Sequence, residues 1–198
     1  MSTPTPTDHL LLAFNRDVLS QALTLADAHD VPGSPVYAHP VGAHIRHVVE
    51  HYEALLHAPE PDVVDYDARP RDAALERSAR LARQRLEALL ATLSAAPAAT
   101  LDRPLRVRGL AGVCGDFGFE FGSTLGRELV FAASHAIHHF AVLTPHCQAH
   151  GLALGSHFGQ APATVAHELA KGRHVLVPTQ INPQPKEELP CSLSSAAA

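Results

Sequence analysis

Apolar residues recur at helical spacing along most of this chain. Leu11, Leu12, Phe14, Val18, Leu19, Ala22, Leu23 and Leu25 fall three or four residues apart, on one face of a helix over about residues 8–28. Asp8 offers a side-chain acceptor at its start, and Val31-Pro-Gly-Ser-Pro35 ends it. The same period returns over residues 40–57, with Pro40 tolerated in the first turn and Pro59 and Pro61 closing the helix. A polar connection over residues 60–69 leads to a third helix, residues 70–93, rich in Ala, Leu, Arg and Glu. A fourth, capped by Ser123 or Thr124, runs to about His146, with Pro145 placed to kink or stop it.

Between the third and fourth helices the period breaks. Leu105-Arg-Val-Arg108 alternates in the strand sense, and Gly109, Gly112, Gly115, Gly118 and Gly122 punctuate the stretch after it. Residues 97–121 are therefore expected to form an irregular insert or a short hairpin. Residues 151–162 read as a loop, and one or two helical turns begin at Ala161. The pattern predicts an all-α fold, a four-helix bundle with this insert between helices three and four. The insert is long enough to cross the bundle, so an up-down-up-down order is not required. One domain is expected over residues 1–175, with a Pro/Ser/Ala-rich tail over residues 176–198.

Composition narrows the class. A chain of 198 residues, 46% hydrophobic and 18% charged, suits one globular domain. The net charge of −5, with few aromatics and no basic cluster, removes the electrostatic footprint of nucleic-acid binding. No apolar run approaches the length of a membrane span, and the first residues lack the basic and apolar regions of a signal peptide. Cys114, Cys147 and Cys191 are odd in number and far apart, which suits a reducing, cytoplasmic setting rather than a disulfide framework. The outlier is histidine: 15 of them, dispersed along the chain.

Two histidine clusters stand out, His44-Ile-Arg-His47-Val-Val-Glu-His51 and His135-Ala-Ile-His138-His139. On the fourth helix, stepping about 100° per residue from His135, the apolar face centres near about 110°. His139 falls at about 40° and His138 at about 300°, so His135 and His139 are the inward pair. Their i, i+4 spacing puts two imidazoles a turn apart on one face, able to reach one ion. On the second helix, phase places His44 and His51 nearer the core than His47, and it leaves all three open as a third ligand. Three protein nitrogens around a divalent transition metal leave a coordination position for water or substrate, as in catalytic zinc sites. Glu50, His51 and Glu128 are placed to hydrogen-bond the ligands or a bound water.

Val41-Gly-Ala-His-Ile-Arg-His-Val-Val-Glu50 resembles the second-helix motif of the DinB/YfiT-like superfamily of metalloenzymes, and Glu128-Leu-Val-Phe-Ala-Ala-Ser-His-Ala-Ile-His-His-Phe-Ala141 resembles its last-helix motif. The resemblance covers about residues 8–150. It implies a DinB-like four-helix bundle with a histidine triad for zinc, nickel or, less commonly, iron or manganese. The last-helix motif carries over onto His135 and His139, and the second-helix motif onto His47, against the local phase. Phe140-Ala-Val stands where many members have a small or basic residue followed by Gly-Gln, which bears on the substrate pocket and not on the metal. Tyr66-Asp-Ala-Arg-Pro-Arg-Asp72 and Phe158-Gly-Gln-Ala-Pro-Ala-Thr164 resemble segments of closer relatives. The activity implied is thiol-dependent S-transfer or a related reaction on a small molecule, in which the metal binds and deprotonates a low-molecular-weight thiol. A non-catalytic, metal-binding stress-response bundle is the alternative, and a homodimer is compatible with either.

Of the remaining candidates, Arg69 and Arg71 can hold an anionic group, or else belong to the charged first turn of the third helix with Asp72. Cys114 reads as an ordinary thiol, since no neighbouring charge in sequence would lower its pKa. Residues 161–164 read as a helix start.

Overall fold

The structure is a computed structural model and describes residues 5–172 apart from Pro59; the expected tail over residues 176–198 lies outside the described residues. Helix α1 (Pro6–His29) opens with a capping box: the Asp8 N–H donates to the Thr5 hydroxyl, and the Thr5 N–H donates to the Asp8 carboxylate at 2.6 Å. Thr5, not Asp8, is thus the N-cap. Helix α2 (Ala43–Leu56) starts later than the periodicity implies. A wide turn, Ala38–Gly42, precedes it, because His39, forced into extended geometry ahead of Pro40, breaks the helical run.

The third predicted helix is two, α3 (Ala73–Arg77) and α4 (Ala79–Ala95), separated by an extended Ser78. Each has its own N-cap. Asp72 accepts from the backbone N–H groups of Ala74 and Leu75, and the Ser78 hydroxyl accepts from Leu81.

The all-α expectation is corrected by a small sheet. Strands β1 (Val63–Asp65), β2 (Pro104–Ala111) and β3 (Phe117–Thr124) lie in the order β1-β2-β3. β2 and β3 form an antiparallel hairpin in which Val107 faces Phe121, turned by Gly112 and Gly115 at φ of 91° and 71°. β1 runs parallel to β2, pairing Val64 with Val107. Its three residues sit in the connection that reads as polar; a strand this short becomes visible only when an open sheet edge lies beside it. Helix α5 (Leu125–Ala149), capped by Thr124, continues past Pro145, and α6 (Pro162–Ala170) comes after a loop.

Helices α1 and α2 each pack against both α4 and α5, so the order around the helical core is α1, α4, α2, α5. This is not the sequential order, and α1 and α2 occupy one diagonal. Across that diagonal the Tyr52 hydroxyl donates to the Asn15 side-chain oxygen at 2.8 Å, and both residues are fully buried. Tyr52→Phe would leave that oxygen buried without a donor, a loss of about 1–3 kcal/mol in urea unfolding. A change below about 0.5 kcal/mol would show that the pair does not tie the core.

Candidate metal centre

The α2–α5 contact is where the two histidine clusters meet. His47 reaches across from α2 to His135 and His139 on α5. The Nε2 atoms of His47 and His135 are 2.9 Å apart, and those of His139 and His135 are 3.2 Å apart. One ring nitrogen from each residue lies within 4.8 Å of the other two, so the group could hold a metal ion. The three rings are half-buried, and His138 points to solvent.

Desolvation dominates the electrostatics of this group. It pushes the His47 imidazole down to about 2, helped by neighbouring imidazoles and the Arg69 cation, and His139 to about 3, helped by neighbouring imidazoles, and it lowers His135 as well, with His138 and Arg69 adding to the effect. Near neutral pH the His47 and His139 rings are therefore uncharged and keep their lone pairs, the state a metal ligand requires, and His135 is biased the same way. Because the folded values lie below the ordinary 6.5, stability is complete above about pH 6.5 and is lost as pH falls through the folded values. Chelator-treated protein should thus melt at progressively lower temperature as pH drops below about 6.5. An unchanged melting temperature down to about pH 4.5 would contradict the burial of neutral rings.

The surrounding residues divide into those that support the imidazoles and those that support the fold. His44 Nδ1 lies 2.7 Å from His139 Nδ1, so one ring donates to the other and fixes the orientation of His139. His51 is buried; its Nδ1 donates to the His47 carbonyl and its ring stacks on Tyr66. An Arg69 N–H donates to His47 Nδ1 at 2.7 Å, and the same nitrogen of Arg69 is 3.7 Å from Glu50 Oε2. Glu50 also accepts the Asp72 N–H at 2.7 Å, so it serves Arg69 and the start of α3 rather than a ligand directly. Glu128, fully buried, accepts from Tyr66 (2.9 Å), Ser123 (2.5 Å) and Arg127 (2.7 Å), and it ties the β3–α5 junction to the segment after β1.

Arg71 is exposed, and so is Cys114. Phe140, where the common motif has a small or basic residue, is buried and stacks on Phe158. Gly159, at φ 68°, lies so close to the α5 backbone that a Cβ would fall 2.6 Å from the Ala141 nitrogen. The Phe158–Thr164 segment is therefore a clamp on α5 that leads into the start of α6. The direct contacts of Arg69 and His44 with the imidazoles are the features sequence reasoning missed. Arg69 is 22 residues from His47 and on no shared helix, so no spacing rule signals it.

Comparison with known proteins places the family. FK506-binding protein 5 of Rhizopus delemar is 34% identical over 105 residues, covering 53% of this chain and 27% of that protein. The chain thus spans about a quarter of the length of that curated relative. No solved structure matches. The sequence profile of the DinB superfamily matches residues 12–143, a stretch that contains His47, His135 and His139. With more than half of its length matched, this chain belongs to the DinB superfamily.

Proposed function

We propose that the protein is a metal-dependent enzyme, with a divalent transition ion held by His47, His135 and His139 and a low-molecular-weight thiol as one substrate of an S-transfer reaction. The observation that carries the first half is the convergence of three imidazoles from two helices, with no fourth His, Cys, Asp or Glu joining them among the described residues. Such a donor set suits zinc or nickel, and iron or manganese less well. When bound, the ion supplies a Lewis acid with a coordination position the protein leaves to water or substrate.

The chain's own residues set the terms of loading. Arginine can only donate, so in this structure His47 accepts at Nδ1 and carries its proton on Nε2, toward His135. An ion held at His47 Nε2 would need that proton on Nδ1, the atom that faces the Arg69 donor. Glu50 Oε2, 3.7 Å from the same Arg69 nitrogen, is buried and has no hydrogen-bond partner among the described residues, so Glu50 would be the acceptor within reach of Arg69. Both residues also line a cavity of about 450 Å³ with Arg85 and Arg108. The cations of that cavity are paired with its own carboxylates: Arg85 with Glu53, and Arg108 with Asp65 and Glu60.

The assay measures thiol consumption with a panel of low-molecular-weight thiols and alkyl, acyl and epoxide electrophiles. Turnover is expected in zinc- or nickel-loaded protein and should be absent after chelation and in His135→Ala. Metal bound at full occupancy with no turnover across the panel would favour the non-catalytic reading.

A further inference from the structure

The three imidazoles of the metal centre touch one another and two residues outside the group, so their proton positions are linked. Arginine has N–H donors and no acceptor, so His47 Nδ1 accepts from Arg69 at 2.7 Å and the proton of the neutral His47 ring sits on Nε2. That N–H points at His135 Nε2, 2.9 Å away, which accepts it, and the His135 proton sits on Nδ1. His139 Nε2 is 3.2 Å from the same His135 nitrogen and avoids a lone-pair contact only as a donor. His139 Nδ1 then accepts from His44 Nδ1 at 2.7 Å. Arg69 is the one member of this chain that cannot reverse, and it sets the rest. Protons end up on two of the three converging nitrogens, where an ion needs lone pairs.

We infer that Arg69 is a lock on the metal centre, a positioning residue that holds His47 in the tautomer opposed to coordination and so weakens metal binding. The inference rests on the three-histidine reading proposed above. The two ends of the chain differ. At His139 the proton moves from Nε2 to Nδ1, and His44 can follow, because an imidazole donates or accepts at Nδ1 according to where its own proton sits. The proton leaving His44 Nδ1 is matched by one gained at its Nε2, so no ring changes charge. At His47 the proton likewise moves from Nε2 to Nδ1, but Arg69 cannot become an acceptor. An N–H would face an N–H across the 2.7 Å contact, and the guanidinium must leave. It is held in place, because its Nε–H donates to the Tyr66 carbonyl and its side chain is only 11% exposed. A ligating histidine commonly turns its outer N–H to a carboxylate or a carbonyl; here a cation stands in that position. Its charge repels a divalent ion and acts in the same direction.

The test compares Arg69→Gln, Arg69→Met and His44→Ala in the full chain, by zinc competition with a chelating dye and by nitrogen-15 NMR of the histidine rings. Gln offers a carbonyl oxygen to an N–H on His47 Nδ1, and Met removes both the donor and the charge. Both variants are expected to bind zinc about tenfold more tightly than the unsubstituted chain, the size usual for a partner of a ligating histidine but with the opposite sign. His44→Ala should bind more weakly. A merely structural role for Arg69 would weaken binding in all three. In metal-free unsubstituted protein the ring spectra should show His47 and His139 protonated at Nε2 and His135 at Nδ1, and Arg69→Gln should move the His47 proton to Nδ1. If Arg69→Gln unfolds by circular dichroism, Arg69→Met takes its place in the comparison. Zinc bound no more tightly by the folded Arg69 variants, or His47 protonated at Nδ1 in the metal-free unsubstituted chain, overturns the lock and leaves the metal centre standing. Zinc bound by none of the chains overturns the metal centre and the lock together.

Discussion

A His135→Ala chain is expected to bind zinc or nickel at the α2–α5 centre about 100-fold or more weakly than the unsubstituted protein, measured by competition with a chelating dye. His135 is the hub of the group, with its Nε2 2.9 Å from that of His47 and 3.2 Å from that of His139. Without it the remaining two imidazoles form an incomplete set, and the loss should exceed what a supporting residue contributes. His44→Ala supplies the comparison, because His44 touches His139 through the nitrogen facing away from the group. A loss of roughly tenfold is expected there. His138→Ala, exposed and one residue from His139, should bind as the unsubstituted chain does. Equal losses in His135→Ala and His138→Ala would mean that the histidine-rich surface of α5, and not the assembled group, takes up the metal.

Gly42→Ala should produce the largest loss of stability among single substitutions near the site, more than about 3 kcal/mol by urea unfolding, beyond the usual range for overpacked side chains. Gly42 has ordinary helical backbone angles, so conformation is not the constraint. Space is: a Cβ there would lie 1.9 Å from the Glu76 carbonyl oxygen and 2.9 Å from its carbon. A backbone carbonyl cannot rotate away as a side chain can, so either α3 or the start of α2 must move. Because His44 and His47 come within the next two turns, metal affinity should fall with stability. Gly122→Ala is the control, since nothing lies within 4 Å of a Cβ at that strand position, and a change within about 0.5 kcal/mol is expected. A Gly42→Ala chain that unfolds like the unsubstituted protein would show that α2 and α3 do not meet at this close approach.

The periodic parts of this chain are legible from sequence because burial imposes the period. The phase of α5 separates His135 and His139 from His138, and the structure turns His138 to solvent. On α2 the same reasoning favours His44 and His51, and it ranks the residues by a quantity that does not decide the matter. Distance from the centre of the apolar stripe reports depth in the core, and His51 is indeed the buried one. The metal-competent group forms at the edge of that stripe, along the seam with α5, and there His47 meets His135 and His139. Ser78 interrupts a strongly helix-prone stretch with no Pro or Gly to announce it. β1 needs a neighbour to be a strand at all. Arg69 reaches His47 only because the segment after β1 runs back over α2.

The most direct test of a three-histidine centre with a position left to substrate is X-ray absorption of the full chain loaded with one equivalent of metal. The predicted spectrum shows three imidazole nitrogens at about 2.0–2.1 Å and one exchangeable light-atom ligand, reduced to two imidazoles in His135→Ala. Four protein ligands with nothing exchangeable, or an imidazole count unchanged by His135→Ala, would contradict it.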